Sequence, residues 1–361
     1  MMKRTFTALT LSAVLMITAS CKKSDNTDTT PTYDIPTTYN FSNVDFSAST
    51  IRLGMVTEMS NLMKKFPVGG IDGQKLKDMF VNANASFTTP GYNASGLQIK
   101  DQCFTLIQTD VPRFIDSLVM ASQSVLPASK GIAGIGTTAT GTNYSLTATG
   151  VNYAQVFNKT IMGGLICYQI ANNYMQTGIS SSVNNSTVIA GTGTAMQHNW
   201  DLAFGYWGVP IDFPTNKVGA KLWGSYSTQI DSGYHANKIL MDAFLKGRAA
   251  INNKDDKTKL AQATIIMQTF EKMTGAAALQ EVKEVKESIN DNIARNSRLS
   301  ECYGFVYSLK YNPARKITDA QIDAILALFP ANFYDLTLGQ LNAIRDAVSA
   351  QYGFDSVKDI L

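Results

Sequence analysis

Apolar residues recur at helical spacing along most of the chain beyond residue 50. At the start of this region, Ile51, Met55 and Met59 fall on one side of a helix. Near the carboxy terminus, Thr318 and Thr337 are each followed three residues later by a glutamine, which is typical of a capping box at a helix amino terminus. No stretch alternates apolar and polar residues for the length of a useful strand. The pattern therefore predicts an all-α domain over residues 50–361.

One predicted helix, residues 152–175, is apolar on nearly every side. A helix of this kind is buried, so we expect it at the centre of the domain. Gly163 and Gly164 lie inside it, where each costs about 1 kcal/mol in helix propensity. Because glycine has no side chain, the pair would let another helix approach closely.

A second predicted helix near residue 280 carries a run of charged residues. Val282 and Val285 would face the core, and the charged residues beside them would face water: Glu281, Lys283, Glu284, Lys286 and Glu287. Such a run is typical of the solvated side of an amphipathic helix. We therefore predict no active site there.

Two long polar segments separate the predicted helices. Residues 127–150 are rich in Gly, Thr, Ala and Ser, and residues 177–193 form the second segment. Both are expected to be loops, the first with a small hairpin through Asn143–Leu146. The domain would then consist of two packed helical halves, about residues 50–193 and 194–361.

The amino terminus has the pattern of a bacterial export signal. Two basic residues precede an apolar run over residues 6–17, and small residues then lead to Cys21. This pattern predicts a cleaved signal peptide over residues 1–20. The position of Cys21 resembles a bacterial lipobox, which implies that Cys21 becomes the lipidated amino terminus and anchors the protein to a membrane. A plain secretory signal with an incidental cysteine is the alternative.

Residues 21–49 are rich in Thr, Ser, Asp, Asn and Pro and have no helical period. We expect a flexible tether that holds the folded domain away from the membrane surface. Composition adds two further expectations. Without the basic residues of the signal the chain is nearly neutral, so we expect no nucleic-acid partner. The remaining cysteines lie in apolar surroundings and are expected to be buried free thiols: Cys103, Cys167 and Cys302.

The strongest candidate for a site is the stretch that contains His198 and Asp201. At a spacing of three residues on a helix, the imidazole and the carboxylate point the same way. Both are candidate metal ligands, and Asp242 or Glu301 could join them, because metal sites in helical bundles draw carboxylates from facing helices. Carboxylates with one imidazole suit iron, manganese or calcium. Alternatively, His198 and Asp201 are hydrogen-bonded core residues.

Aromatic residues surround this pair and are candidate binding residues: Trp200, Tyr206 and Trp207. Together with Trp223 and the tyrosines, they could form a glycan-binding surface if their rings were exposed. The more usual role of an aromatic stripe on a helix is core packing.

Residues 198–208, H-N-W-D-L-A-F-G-Y-W-G, resemble the signature H-x-W-D-E-A-F-G-Y-x-G of Bacteroidota lipoproteins with a domain of unknown function. Residues 238–251 and 299–309 match the same group, which is distantly similar to the imelysin family. The resemblance implies an imelysin-like helical fold and an outer-membrane location, with the periplasmic or surface face left open. The imelysin group is associated with iron uptake and was once classed as a metallopeptidase through a GxHxxE motif. Asp201 stands at the glutamate of that motif, and Leu202 replaces the glutamate of the lipoprotein signature.

These observations lead us to expect a lipid-anchored binding or uptake-accessory protein of the cell envelope rather than an enzyme. Its ligand would be iron or another divalent metal ion, and its partners would be the membrane and envelope transport proteins. Two alternatives stay open. One is a metallopeptidase-like hydrolase at His198 and Asp201, which would need three protein ligands and an open position. The other is a glycan-binding surface lipoprotein.

Overall fold

Helices make up nearly all of the regular structure in the computed structural model, which describes residues 32–66 and 69–361. The α-helices of this part of the chain are α1 (Ser47–Met63), α2 (Gly73–Val81), α3 (Pro90–Asn93), α4 (Thr105–Ser122), α5 (Tyr153–Ile161), α6 (Ala195–Trp207), α7 (Trp223–Gln229), α8 (Asp231–Tyr234), α9 (Ala236–Asn252), α10 (Asp256–Glu287), α11 (Asn292–Ser308), α12 (Asp319–Leu326) and α13 (Leu338–Tyr352). The prediction of a mostly helical domain is confirmed. None of these helices is long and apolar enough to cross a bilayer.

A small antiparallel hairpin lies in the first polar segment, as the sequence predicts. Strand β1 (Gly134–Thr137) pairs with β2 (Asn143–Leu146), and Gly134 faces Leu146 in the register. The turn chemistry of a Gly- and Thr-rich segment therefore produces a short hairpin within an otherwise helical domain.

Side-chain caps fix the starts of several helices. Thr318 and Thr337 form the predicted capping boxes with the glutamines three residues later, and Thr194 forms a third with Gln197 at the start of α6. In each box the threonine accepts the backbone N–H of the glutamine, whose side chain accepts the N–H of the threonine. A cap of this kind contributes about 1 kcal/mol. Helix α6 then ends at Gly208, whose left-handed φ of 80° is accessible to glycine at little cost.

The helix that begins at α5 is central and continues as π-helical turns through Met162–Cys167 and Gln169–Tyr174. A Cβ atom on Gly163 would lie 2.6 Å from the carbonyl oxygen of Ser308, and one on Gly164 would lie 2.6 Å from the Ile107 side chain. The two glycines thus allow α4 and the end of α11 to pack directly on the backbone of the central helix, as their sequence position predicts.

One hydrophobic core extends through the domain. The long helix α10 packs against α9, α11 and α13, whereas α5 packs against α4 and α11. Helix α6 packs between α1 and α9. Because α5 and α11 belong to different predicted halves, the segments 50–193 and 194–361 share this core, and residues Ile35–Leu361 form one compact unit.

The predicted tether extends too far along the chain. Tyr39 is only 1% exposed, and its ring stacks on Phe204 with centroids 3.7 Å apart. Helix α1 then begins at Ser47. The aromatic area contributed by Tyr39 and Phe41 makes this segment part of the core, although its composition is that of a linker. The predicted signal peptide and Cys21 lie outside the described residues.

All three cysteines of the described residues are buried free thiols, as predicted. Burial raises the pKa of the thiols of Cys103, Cys167 and Cys302. A thiol that resists ionisation is a poor nucleophile, so these residues act as small core side chains.

Candidate functional site

Asp201 on α6 is at the centre of a buried polar anchor. Its Oδ1 accepts hydrogen bonds from Arg248 Nε at 2.8 Å and from Tyr39 Oη at 2.7 Å. Asp201 and Arg248 are both 0% exposed, and the guanidinium lies 5.2 Å from the Phe41 ring centroid. Burial raises the pKa of Asp201, and the Arg248 guanidinium opposes that rise. The anchor therefore joins α6, α9 and the segment before α1.

Gly247 and Trp200 explain why this anchor can form. A side chain on Gly247 would collide with the indole of Trp200, so the glycine lets α6 and α9 approach closely. Arg248, the next residue, then reaches Asp201, which follows Trp200 in sequence. Residues 198–208 on α6 and 238–251 on α9 are two of the segments that resemble the lipoprotein family. They thus pack against each other in one helix–helix contact.

His198 does not join a metal-binding set. Its ring is half-buried, and its Nδ1 has no hydrogen-bond partner. The predicted additional ligands are engaged elsewhere: Asp242 pairs with Lys238 on the surface of α9, and Glu301 pairs with Lys159. In the part of the chain that the structure describes, no group of three or more His, Cys, Asp or Glu side chains is placed to hold a metal ion. The geometry of the described residues therefore does not fit the expected iron or divalent-metal centre.

The predicted binding aromatics are core residues. Trp200, Tyr206 and Trp207 are 0% exposed, as is Trp223. The Trp200 indole donates to the Phe244 carbonyl at 3.0 Å, and the Trp207 ring stacks on the Phe244 ring. A glycan-binding surface requires exposed rings, so these residues do not provide one. This corrects the expectation that the aromatic residues of α6 form a binding surface.

A second polar cluster surrounds Glu301. It includes Glu281, whose predicted exposure to water is wrong. Glu281, expected on a solvated face, is 1% exposed and lies beside Glu301 in the contact between α10 and α11. The hydroxyl of Tyr226 lies 3.2 Å from a carboxylate oxygen of each glutamate. Lys159 Nζ lies 2.8 Å from Glu301 Oε2 and is itself 4% exposed. We call these four residues the glutamate–lysine cluster.

The hydrogen count of this cluster favours a neutral carboxyl group on one of its two glutamates. Tyr226 has one hydroxyl hydrogen, so it can donate to only one of the two carboxyl groups. The other contact is favourable when that carboxyl group donates to the phenol oxygen. Burial and the Glu301 charge raise the pKa of Glu281 well above its usual value, whereas Lys159 and Arg298 lower that of Glu301. Of the two glutamates, Glu281 therefore holds a proton more tightly than Glu301 does. Two carboxyl groups with divergent pKa values can act as an acid–base pair, but these are closed to a substrate by their burial.

An open cleft of about 440 Å³ lies between α4, α5, α11 and the chain after α12. We call it the aromatic cleft, because six aromatic rings line it: Phe114, Tyr153, Tyr303, Tyr307, Phe329 and Phe333. The phenylalanines are buried and the tyrosines are half-buried, so the tyrosine rings are what the cleft presents to a ligand.

Helix geometry orders the tyrosines of the cleft. Tyr303 and Tyr307 are one turn apart on α11, and their rings lie within 10° of parallel with centroids 5.8 Å apart. Phe329 packs edge-on against Tyr303 at 5.4 Å. Partial burial raises the pKa of Tyr303 to about 12, so its phenol stays neutral at physiological pH. The spacing of Tyr303, Tyr307 and Tyr311, four residues apart, is the sequence signal that could have indicated this site.

Arg113 lies at the edge of the aromatic cleft and pairs with a buried carboxylate, Asp110. The carboxylate of Asp110 is only 3% exposed and accepts hydrogen bonds from Tyr311 Oη at 2.5 Å and Tyr307 Oη at 3.3 Å. It also pairs with Arg113, one turn later on α4, whose side chain is 68% exposed. The bond to Asp110 raises the pKa of Arg113. A fixed carboxylate thus holds a solvent-facing guanidinium beside the rings.

These features define a class of protein: a mostly helical domain with a buried polar anchor and an open aromatic cleft of ligand size. Residues 36–355 match the family model described as Domain of unknown function (DUF4856), and the chain belongs to this family. No curated protein and no solved structure matches the chain.

Proposed function

We propose that this protein is a lipid-anchored cell-envelope protein that binds a small ring-bearing ligand in the aromatic cleft. The observation that carries the proposal is the cleft itself. Its volume of about 440 Å³ is within the range of small-molecule sites, which are lined mainly by aromatic and apolar groups with few polar ones. The half-buried rings of Tyr153, Tyr303 and Tyr307 offer faces and hydroxyls to such a ligand.

The binding chemistry of the cleft suits a sugar ring or an aromatic ring. Both present a flat face that packs on a tyrosine ring, and both leave an edge for hydrogen bonds. Phe114 packs on Tyr153, and Phe329 and Phe333 pack on Tyr303, so little side-chain entropy of these tyrosines would be lost on binding. Binding without chemistry is the activity that this arrangement supports.

Loss of the Tyr303 ring is expected to weaken binding at least tenfold, because aromatic residues at the centre of a contact carry much of its energy. The measurement is isothermal titration of the folded protein with digalactose, digalacturonate, benzyl alcohol and benzoate, for wild type and Tyr303→Ala. Tyr303→Phe keeps the ring and should bind nearly as wild type. Tyr234→Ala is the matched control, since Tyr234 is also half-buried and packs against one phenylalanine, Phe354, outside the cleft. Absence of binding of all four probes to the wild type would overturn the proposal.

The envelope location is proposed from the amino-terminal pattern, and the likeness of residues 198–208 to the lipoprotein signature supports an imelysin-like arrangement and a role in uptake. We expect the full chain to partition with the outer membrane and to carry acyl chains on Cys21. Cys21→Ser should abolish acyl labelling and leave the protein unprocessed at the lipobox, whereas Cys103→Ser should change neither. Acyl labelling that persists in Cys21→Ser would contradict the anchor.

A further inference from the structure

We infer that the aromatic cleft selects ring-bearing ligands that also carry a carboxylate, and that Arg113 is the residue that recognises this group. The inference rests on the proposed function, because it names the ligand class of the same cleft. It differs from that proposal in assigning charge selectivity to one residue.

The first observation is the distribution of charge in the cleft. Arg113 is the one charged residue among those that line it, and the others are aromatic, aliphatic, proline or threonine. Its side chain is 68% exposed, so its guanidinium faces the solvent that a ligand would replace. A ligand in the cleft would therefore meet a single positive charge beside the tyrosine rings.

The second observation is the support beneath the arginine. Asp110 is fixed by the hydroxyls of Tyr307 and Tyr311, and it contacts Arg113 through one guanidinium nitrogen, Nη2. A guanidinium has five N–H donors in a planar fork, which is more than a single bond to Asp110 uses. An arginine that is oriented before binding loses less entropy when it engages a planar carboxylate through two hydrogen bonds.

The negative charge of Asp110 does not cancel the preference of the cleft for ligands that carry a carboxylate. The carboxylate is buried and is shared among two phenol hydroxyls and the guanidinium, whereas the Arg113 side chain is 68% exposed and lines the cleft. Arg113 lines the cleft and Asp110 does not, so a ligand carboxylate would meet the guanidinium rather than the buried carboxylate. Tyr307 connects the two parts of the site, since it donates to Asp110 and also lines the cleft.

The test compares acidic and neutral probes of matched shape. Digalacturonate with digalactose forms the sugar pair, and benzoate with benzyl alcohol forms the aromatic pair, so the two pairs separate the two sources of a ring. We expect the wild type to bind the acidic member of one pair at least tenfold more tightly, as charge-assisted hydrogen bonds imply. Arg113→Gln should reduce that preference to less than threefold, because only the acidic member loses a charge-assisted hydrogen bond. Raised salt should weaken binding of the acidic probe to the wild type alone.

Two further variants separate recognition from structure. Arg113→Lys keeps the charge without the planar fork and should retain part of the preference. Arg345→Gln is the matched control, since Arg345 also pairs with a neighbouring aspartate, Asp346, but does not line the cleft. Equal affinity of the wild type for acidic and neutral probes, or equal weakening of both by Arg113→Gln, overturns the inference while the proposed function stands. Binding of neither pair overturns both.

Discussion

Arg248→Met is expected to lower the free energy of unfolding by about 3–5 kcal/mol, because it leaves the Asp201 carboxylate buried without its counter-charge. Asp201 is 0% exposed, and the Tyr39 hydroxyl would be its one remaining side-chain hydrogen-bond donor of those described. The measurement is urea unfolding at neutral pH, followed by tryptophan fluorescence, since Trp200 lies beside the anchor.

The double variant Asp201→Leu, Arg248→Met distinguishes a buried charge pair from general damage to the core. Removal of both charges eliminates the unpaired carboxylate, so the double variant should be clearly more stable than Arg248→Met alone. Tyr39→Phe should cost less, about 1.5–3 kcal/mol, the usual effect of one hydrogen bond to a charged group. A loss below 1 kcal/mol in Arg248→Met would show that the anchor does not hold α6 to α9.

The helices could be predicted from the sequence because their signals are local. The capping boxes at Thr318 and Thr337 and the paired glycines at 163 and 164 depend on residues a few positions apart. Burial of a polar residue depends instead on which helix packs beside it. Nothing near Glu281 in sequence indicates that it will be buried beside Glu301 and Lys159.

The same limit applies to the candidate site. The spacing of His198 and Asp201 correctly placed both on one helix. It could not show that Arg248, 47 residues after Asp201, would form an ion pair with the Asp201 carboxylate. The aromatic cleft draws its rings from α4, α5, α11 and the segment after α12. Only the repeat of Tyr303 and Tyr307 along α11 was visible locally. The linker-like composition before α1 likewise concealed Tyr39, whose stabilising partners are Phe204 and Asp201.

Glu281→Gln is expected to make the protein more stable than the wild type at alkaline pH and to leave it nearly as stable near pH 5. The folded-state pKa of Glu281 is raised above its usual value of 4.5 by burial and by Glu301. A raised carboxyl pKa means that the folded state holds the proton more tightly than the unfolded state does. The contribution of protonated Glu281 to the free energy of unfolding is therefore complete below pH 4.5 and is lost as the pH rises through the folded-state pKa. Between the usual pKa and the folded-state pKa, the loss is about 1.4 kcal/mol for each pH unit.

Glutamine imitates the protonated glutamate in shape and neutrality but does not titrate, so the variant should lack this pH dependence. Its amide can donate to the Tyr226 hydroxyl as the carboxylic acid does, while Tyr226 donates to Glu301. Glu287→Gln is the matched control, because Glu287 is exposed on the same helix and its replacement removes the same charge. Chemical unfolding at each pH unit from 5 to 9 gives the comparison. If the stability difference between Glu281→Gln and the wild type stays constant over this range, Glu281 is ionised in the folded protein, and Tyr226 then lies between two carboxylates whose repulsion is balanced by Lys159 and Arg298.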